Sequence, residues 1–351
     1  MPEKTILVCE AQVPFVQGGA EYHVRELVRQ LKAHGYPTEL VSVPFKWYPK
    51  EEILAHAAAW RLLDLSESNG RPVDLLIATK FPSYFARHPN KVVWLIHQHR
   101  AAYELAGTRF SDFAHTEADV ALRDKLIALD TQTLGECQRR FANARNTAER
   151  ARRYNGVDVE PLYHPPRLAE RIVGGPYGDY ILSVGRLEAV KRVDLAIRAL
   201  AQAPGSLRLL IAGTGTQAAA FQALAESLGI ADRVVFLGAV DDDTLLSLYA
   251  GARAVVFPPF DEDFGYITLE AFLARKAVVT TTDAGGPTEF VVDGENGYIV
   301  TPEPEAMAAA FAALDADARL AQQLGEEGHR VASAITWTGV IERLVGATEG
   351  A

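Results

Sequence analysis

Short β-branched runs alternate with longer amphipathic stretches along the whole chain, the pattern of a parallel sheet wrapped by helices. The runs predict strands over residues 5–9, 38–43, 75–78, 92–96, 181–184, 207–212, 234–237, 254–257 and 278–281. Several run straight into glycine-containing turns. In open α/β sheets ligands bind beyond the carboxyl ends of the strands, so those turns are where chemistry is expected. Two breaks interrupt the pattern, Tyr163-His164-Pro165-Pro166-Arg167 and Gly174-Gly175-Pro176-Tyr177-Gly178. Proline and glycine at that density mark a linker, which sets a domain boundary within 165–178. The 351 residues exceed what one core usually holds. The expectation is therefore two α/β domains that meet in that stretch.

Composition narrows the partners. The N-terminal apolar run Ile6-Leu7-Val8-Cys9 is too short for an export segment and reads as a strand. No apolar run reaches the roughly 18 to 20 residues of a membrane span, so a cytoplasmic protein is expected. Cys9 and Cys137 lack metal-ligand spacing and read as plain buried or half-buried thiols. The net charge of −10 argues against a nucleic-acid partner. That charge is uneven: residues 1–165 hold 21 Lys+Arg against 20 Asp+Glu, leaving 14 against 25 for the rest. Arg139, Arg140, Arg145, Arg150, Arg152 and Arg153 could face an anionic acceptor or the inner face of a membrane. A solvated basic helix is the simpler reading.

The strongest local signal is the run from Leu182 to Asp194, in which a strand ends at Gly185 and two cations five apart, Arg186 and Lys191, precede a helix. Glycine lets a phosphate approach the backbone, arginine offers a planar fork, and lysine adds a mobile point charge. A second signal follows Pro258-Pro259: Glu262 in a loop, then Phe264 and Gly265 where a helix should start, then Glu270 inside that helix. A helix N-terminus suits a phosphate, and a carboxylate suits paired sugar hydroxyls because it accepts two hydrogen bonds at once. Each segment also has a purely structural reading, as surface cations or an acidic first turn. Glycine turns at Gly18-Gly19, Gly213-Thr214-Gly215 and Gly285-Gly286 lie in ligand-facing positions. None forms G-x-G-x-x-G after the first strand, which weakens a nicotinamide-dependent dehydrogenase.

Gly185-Arg186 with Lys191, the E-x7-E pair Glu262 and Glu270, and the double glycines at 18–19 and 285–286 together resemble a family-4 retaining glycosyltransferase. The resemblance covers nearly the whole chain and implies a GT-B architecture: two Rossmann-like domains with parallel sheets facing across a cleft. The acceptor would be bound mainly by the first, residues 1–165, and the donor mainly by the second, residues 166–335, with the last helix, about 337–345 within a closing segment of about 336–351, crossing back to the first. It implies Arg186 and Lys191 on the donor diphosphate and Glu270 on the ribose. Glu262 and the amides around Phe264 and Gly265 would hold the transferred sugar. Gly213 and the Leu237-Gly238 turn would lie near the nucleoside, Gly18 and Gly19 over the diphosphate and sugar, and His97 beside the sugar.

His99 competes with His97, since alternate residues of a continuing strand face opposite sides; His97 is preferred as the first after the apolar run. His23, His115 and His164 read as structural. Asp241-Asp242-Asp243 invites a metal, but the amphipathic stretch that follows makes a helix cap the simpler account. No metal or cofactor is expected. The implied reaction moves a hexose from a UDP- or GDP-sugar to a sugar, glycolipid or small-molecule acceptor in bacterial surface-glycan synthesis, with peripheral membrane contact through the first domain. A nucleotide-sugar epimerase and a non-catalytic sugar-nucleotide binding module are the alternatives.

Overall fold

The computed structural model describes residues 4–16, 18–203, 205 and 207–346. Gln17 of the first glycine turn and residues 347–351 of the expected last segment lie outside the described residues. The chain forms two compact units. One runs to Arg167 and takes in the stretch from Thr336 onward; the other spans Leu168–Ile335.

The N-terminal unit contains β1 (Ile6–Gln12), α1 (Gly19–Ala33), β2 (Thr38–Pro44), α2 (Ile53–Leu62), a small hairpin of β3 (Glu67–Ser68) and β4 (Arg71–Pro72), β5 (Leu75–Ala78), β6 (Lys91–Leu95), α3 (Glu117–Gly135), β7 (Arg139–Ala142), α4 (Arg145–Asn155) and β8 (Glu160–Pro161). Its sheet is parallel in the order β2-β1-β5-β6-β7-β8. Successive residues face opposite sides of a strand, and the two faces have separate cores. Ile6, Val8, Leu75, Ile77, Val92 and Trp94 pack on one side, and Cys9, Ala11, Leu76, Ala78, Val93 and Leu95 on the other. The first of these cores is completed from the far end of the chain, by Trp337, Val340, Ile341, Leu344 and Val345 of α11 (Trp337–Val345).

The other unit follows the same plan with β9 (Tyr180–Val184), α5 (Val193–Gln202), β10 (Arg208–Ala212), α6 (Ala218–Ser227), β11 (Val234–Gly238), α7 (Asp242–Gly251), β12 (Ala254–Val256), α8 (Tyr266–Leu273), β13 (Val278–Thr281), β14 (Gly297–Val300), α9 (Pro304–Ala316) and α10 (Ala318–Ser333). Its parallel sheet has the order β11-β10-β9-β12-β13-β14. Buried parallel strands read as continuous apolar runs, which is why every strand expected from the sequence is present.

The arginine cluster does not form one basic helix. Arg139 and Arg140 lie in β7, while Arg145 to Arg153 are on α4. Arg139 donates to the carbonyls of Arg343 and Leu344, each at 2.9 Å, capping the end of α11. Arg140 donates to the Asp158 and Cys137 carbonyls, and Arg150 pairs with Glu104. The charge of these three serves internal carbonyls and a carboxylate, while Arg145, Arg152 and Arg153 are exposed on α4. Among the described residues no helix is long and apolar enough to cross a membrane. Cys9 and Cys137 are free, buried thiols, as expected.

Candidate functional site

The carboxyl ends of β9, β10 and β11 carry three interlocked turns. Gly185 N–H donates to the Ala212 carbonyl at 3.0 Å, Gly213 N–H to the Gly238 carbonyl at 2.8 Å, and Leu187 N–H to the Thr214 carbonyl at 2.8 Å. The approach is close enough to exclude a side chain. A Cβ on Gly213, whose φ is +147°, would lie 1.9 Å from the Gly185 oxygen. Arg186, next to that contact, is exposed, and its side chain makes no hydrogen bond or ion pair among the described residues.

Lys191 closes a single 3-10 turn after β9, and its Nζ pairs with the Glu262 carboxylate while lying 5.7 Å from the centre of the Phe257 ring. These two residues, 71 positions apart, were expected on neighbouring parts of one ligand; the fold brings them into direct contact. The loop bearing Glu262 is sewn down on both sides. Phe260 N–H donates to the Val190 carbonyl at 2.8 Å, Glu262 N–H to Ala284 at 2.8 Å, and Gly286 N–H to Glu262 at 2.7 Å.

Arg192 fastens the same loops and was missed as a site residue, since in sequence it is one more cation before a helix. Its guanidinium donates to the carbonyls of Pro258 (2.8 Å) and Pro259 (2.6 Å), the Thr281 hydroxyl (2.8 Å) and both oxygens of Asp283 (2.9 and 2.6 Å). Burial works against ionisation of Asp283, but the Arg192 hydrogen bonds outweigh it and hold the carboxyl below its ordinary pKa. A half-buried carboxylate bound by a bidentate guanidinium is a rigid corner rather than a floating charge.

The helix after this loop starts as expected. Gly265 is its N-cap with φ +81° and ψ +61°, a left-handed conformation, and a Cβ there would come within 2.9 Å of Pro287 Cγ. Phe264 beside it is buried against Tyr266 and Phe290. Glu270, one turn into α8, is half-buried, and one carboxylate oxygen accepts a 2.7 Å hydrogen bond from the Tyr249 hydroxyl. Tyr249 was also missed, because in sequence it is an apolar position of an amphipathic helix. Asp241 caps α7, accepting from Thr244 N–H at 2.8 Å, so the acidic triplet begins as a helix cap. Among the described residues no three His, Cys, Asp or Glu side chains are grouped to hold a metal ion.

Sequence placed three further residues in the N-terminal unit. Gly18 caps α1, its N–H donating at 2.9 Å to Glu21, whose other oxygen pairs with buried Lys80; Gly19 begins the helix. His97 is half-buried, with Nδ1 2.8 Å from the Gln98 carbonyl oxygen. The strand ends at Leu95, so the alternation invoked to separate His97 from His99 does not extend to them. The His99 ring instead packs among Phe45, Phe81 and Phe113, and burial lowers its pKa to about 4. It is neutral at ordinary pH. His23 and His164 are buried against Trp94, and His164 also against Trp337.

Residues 176–331 match the family model described as Glycosyl transferases group 1. D-inositol 3-phosphate glycosyltransferase of Acidothermus cellulolyticus is 32% identical over 191 residues, which are 51% of this chain and 42% of that protein. The match thus spans less than half the length of that curated relative. WaaG, a glycosyltransferase involved in lipopolysaccharide biosynthesis, superposes with a TM-score of 0.73 at 19% identity over 98% of this chain and 100% of its own. Anabaena Alr3699/HepE in complex with UDP-glucose gives 0.70 at 18% identity, over 97% and 98%. Similarity at that identity establishes a shared fold, GT-B, with two Rossmann-like domains.

Proposed function

We propose that this chain, whose residues 176–331 match the model of the glycosyl transferases group 1 family, moves a hexosyl group from a nucleotide-sugar to an acceptor hydroxyl with retention of configuration and without a metal. The observation that carries the reading is the convergence in one unit of exposed Arg186, the Lys191–Glu262 pair, the N-terminus of α8 and Glu270. Arg186 and Lys191 supply positive charge where a leaving diphosphate gains negative charge, so they stabilise the transition state more than the ground state. The first amides of α8 add the positive end of a helix dipole. Glu270 takes the ribose, and Glu262 with the backbone at Phe264 and Gly265 takes the hexose. Gly213 and the Leu237-Gly238 turn flank the nucleoside. Gly18, Gly19 and His97 belong to the proposal through the N-terminal unit, to be tested by their own substitutions.

The glycosidic C–O bond to the diphosphate breaks first, leaving an oxocarbenium-like centre. The acceptor oxygen bonds to that carbon on the face the diphosphate left, and its proton passes to a phosphate oxygen. UDP is the first nucleotide to try, because a UDP-glucose complex is known for a protein of the same fold. The test is a thermal-shift screen with UDP-, GDP- and ADP-sugars. A ligand at 100 times its dissociation constant stabilises by about 2.7 kcal/mol, and a flat response to all three overturns the reading. Product configuration, read by NMR, decides retention, and release of nucleotide only with acceptor present distinguishes transfer from epimerisation.

A further inference from the structure

Glu270 has three rotatable side-chain bonds and is only half-buried, so its backbone alone does not fix the plane of its carboxylate. Tyr249 is different: it is 1% exposed, its ring is held by packing, and its hydroxyl reaches Glu270 from a separate helix, α7. We infer that Tyr249 is the positioning residue for the ribose-binding carboxylate, holding Glu270 in the one orientation that accepts both ribose hydroxyls. The inference rests on the ribose role given to Glu270 above.

Two features suit the phenol to this task. Burial and the neighbouring carboxylate both raise its pKa well above 10, so it stays a hydrogen-bond donor at any working pH. It is also neutral. A cation in its place would orient Glu270 but offset the negative charge that makes a carboxylate a strong acceptor; a hydroxyl orients without that loss. Glu262, held by the ammonium of Lys191, is the contrasting case in the same unit.

The consequence is measurable on the full chain as discrimination between UDP and 2′-deoxy-UDP, with GDP and 2′-deoxy-GDP run alongside. Unaltered protein should bind the ribonucleotide at least tenfold more tightly. Tyr249→Phe, which removes one oxygen atom, should shrink that ratio to threefold or less. Binding of inorganic pyrophosphate, which has no ribose, should not change, whereas a general loss of structure would weaken it too. A cycle with Glu270→Gln supplies the second readout. If Tyr249 acts through Glu270, adding Tyr249→Phe to Glu270→Gln changes the ratio no further; a further fall in the double variant overturns the inference, and that comparison needs no measurement on the single Tyr249 variant. An undiminished ratio in Tyr249→Phe, with discrimination lost in Glu270→Gln, overturns the positioning role alone. An undiminished ratio in Glu270→Gln overturns the ribose assignment and the inference with it.

Discussion

Replacing Gly213 with alanine adds one methyl group at the tightest point between two strand-end turns. The new carbon would lie 1.9 Å from the Gly185 oxygen, against the roughly 3.3 Å at which carbon and oxygen normally meet. One turn must retreat by more than about 1 Å. The φ of +147° adds a backbone term of roughly 1–3 kcal/mol for any residue with a side chain, and overpacking adds roughly 1–3 kcal/mol. The total, about 2–6 kcal/mol, is a large share of the 5–15 kcal/mol that usually separates folded from unfolded protein. Because Gly185 carries Arg186 directly after it, the displacement should also reach the diphosphate, and a shift of about 1 Å at a binding group can cost on the order of 100-fold in rate. Gly229→Ala is the control: its φ is +69° but its Cβ would meet nothing within 4 Å. Thermal unfolding and UDP titration of both variants separate strain from collision. Gly213→Ala should melt at least about 4 °C lower, at about 2–4 °C per kcal/mol for a unit of this size, and bind UDP at least tenfold more weakly. Gly229→Ala should lose stability only slightly and keep its UDP affinity. Equal UDP binding by the two would refute the coupling of these turns.

Arg192→Ala should weaken UDP-sugar binding and lower the melting temperature together, since it unties the Glu262 loop from Asp283; a variant that loses neither would show the clamp to be idle. Arg139→Ala should release the last carbonyls of α11 at a cost of roughly 1–3 kcal/mol, visible as faster hydrogen exchange over residues 337–345, and unchanged exchange there would count against the cap. Burial raises Asp130 to about 7, opposed by the hydrogen bond that the Tyr103 hydroxyl donates to it. Because the folded value lies above the unfolded one, its contribution is fully present below pH 3.8 and is lost as pH rises through about 7; Asp130→Asn should flatten that part of the stability profile, and an identical profile would refute it. Activity with saturating EDTA should equal that with added magnesium, and a loss restored by metal would overturn the metal-free mechanism.

Much of this molecule could be read before it was seen. Strands such as Leu75–Ala78 and Val278–Thr281 are legible because, covered on both faces, they keep unbroken apolar runs. Strand Arg139–Ala142 was not, since two of its four residues are arginines whose heads leave the sheet to reach carbonyls elsewhere. The site divides in the same way. Arg186, Lys191, Glu262 and Glu270 stand out because their charges sit beside glycine turns. Arg192 and Tyr249 do not, because what matters is the partner each meets: Arg192 spans to Asp283 and Tyr249 to Glu270, and neither separation along the chain follows a local period. His99 shows the limit of alternation, which predicts sides only while a strand continues, and this one ends at Leu95.

The placement of α11 governs how the chain must be made. The N-terminal unit draws its final core residues from beyond Thr336, whereas Leu168–Ile335 is one uninterrupted stretch. During synthesis from the N-terminus, the half that emerges first therefore has one face of its sheet covered only in part, by Val24, Leu27 and Leu31 of α1, until residues 337–345 have been made. The half that emerges second has everything it needs earlier. The order of completion is the reverse of the order of translation, and a released chain cut after Ile335 would hold every residue of the C-terminal unit but an N-terminal core still lacking Trp337, Ile341 and Leu344.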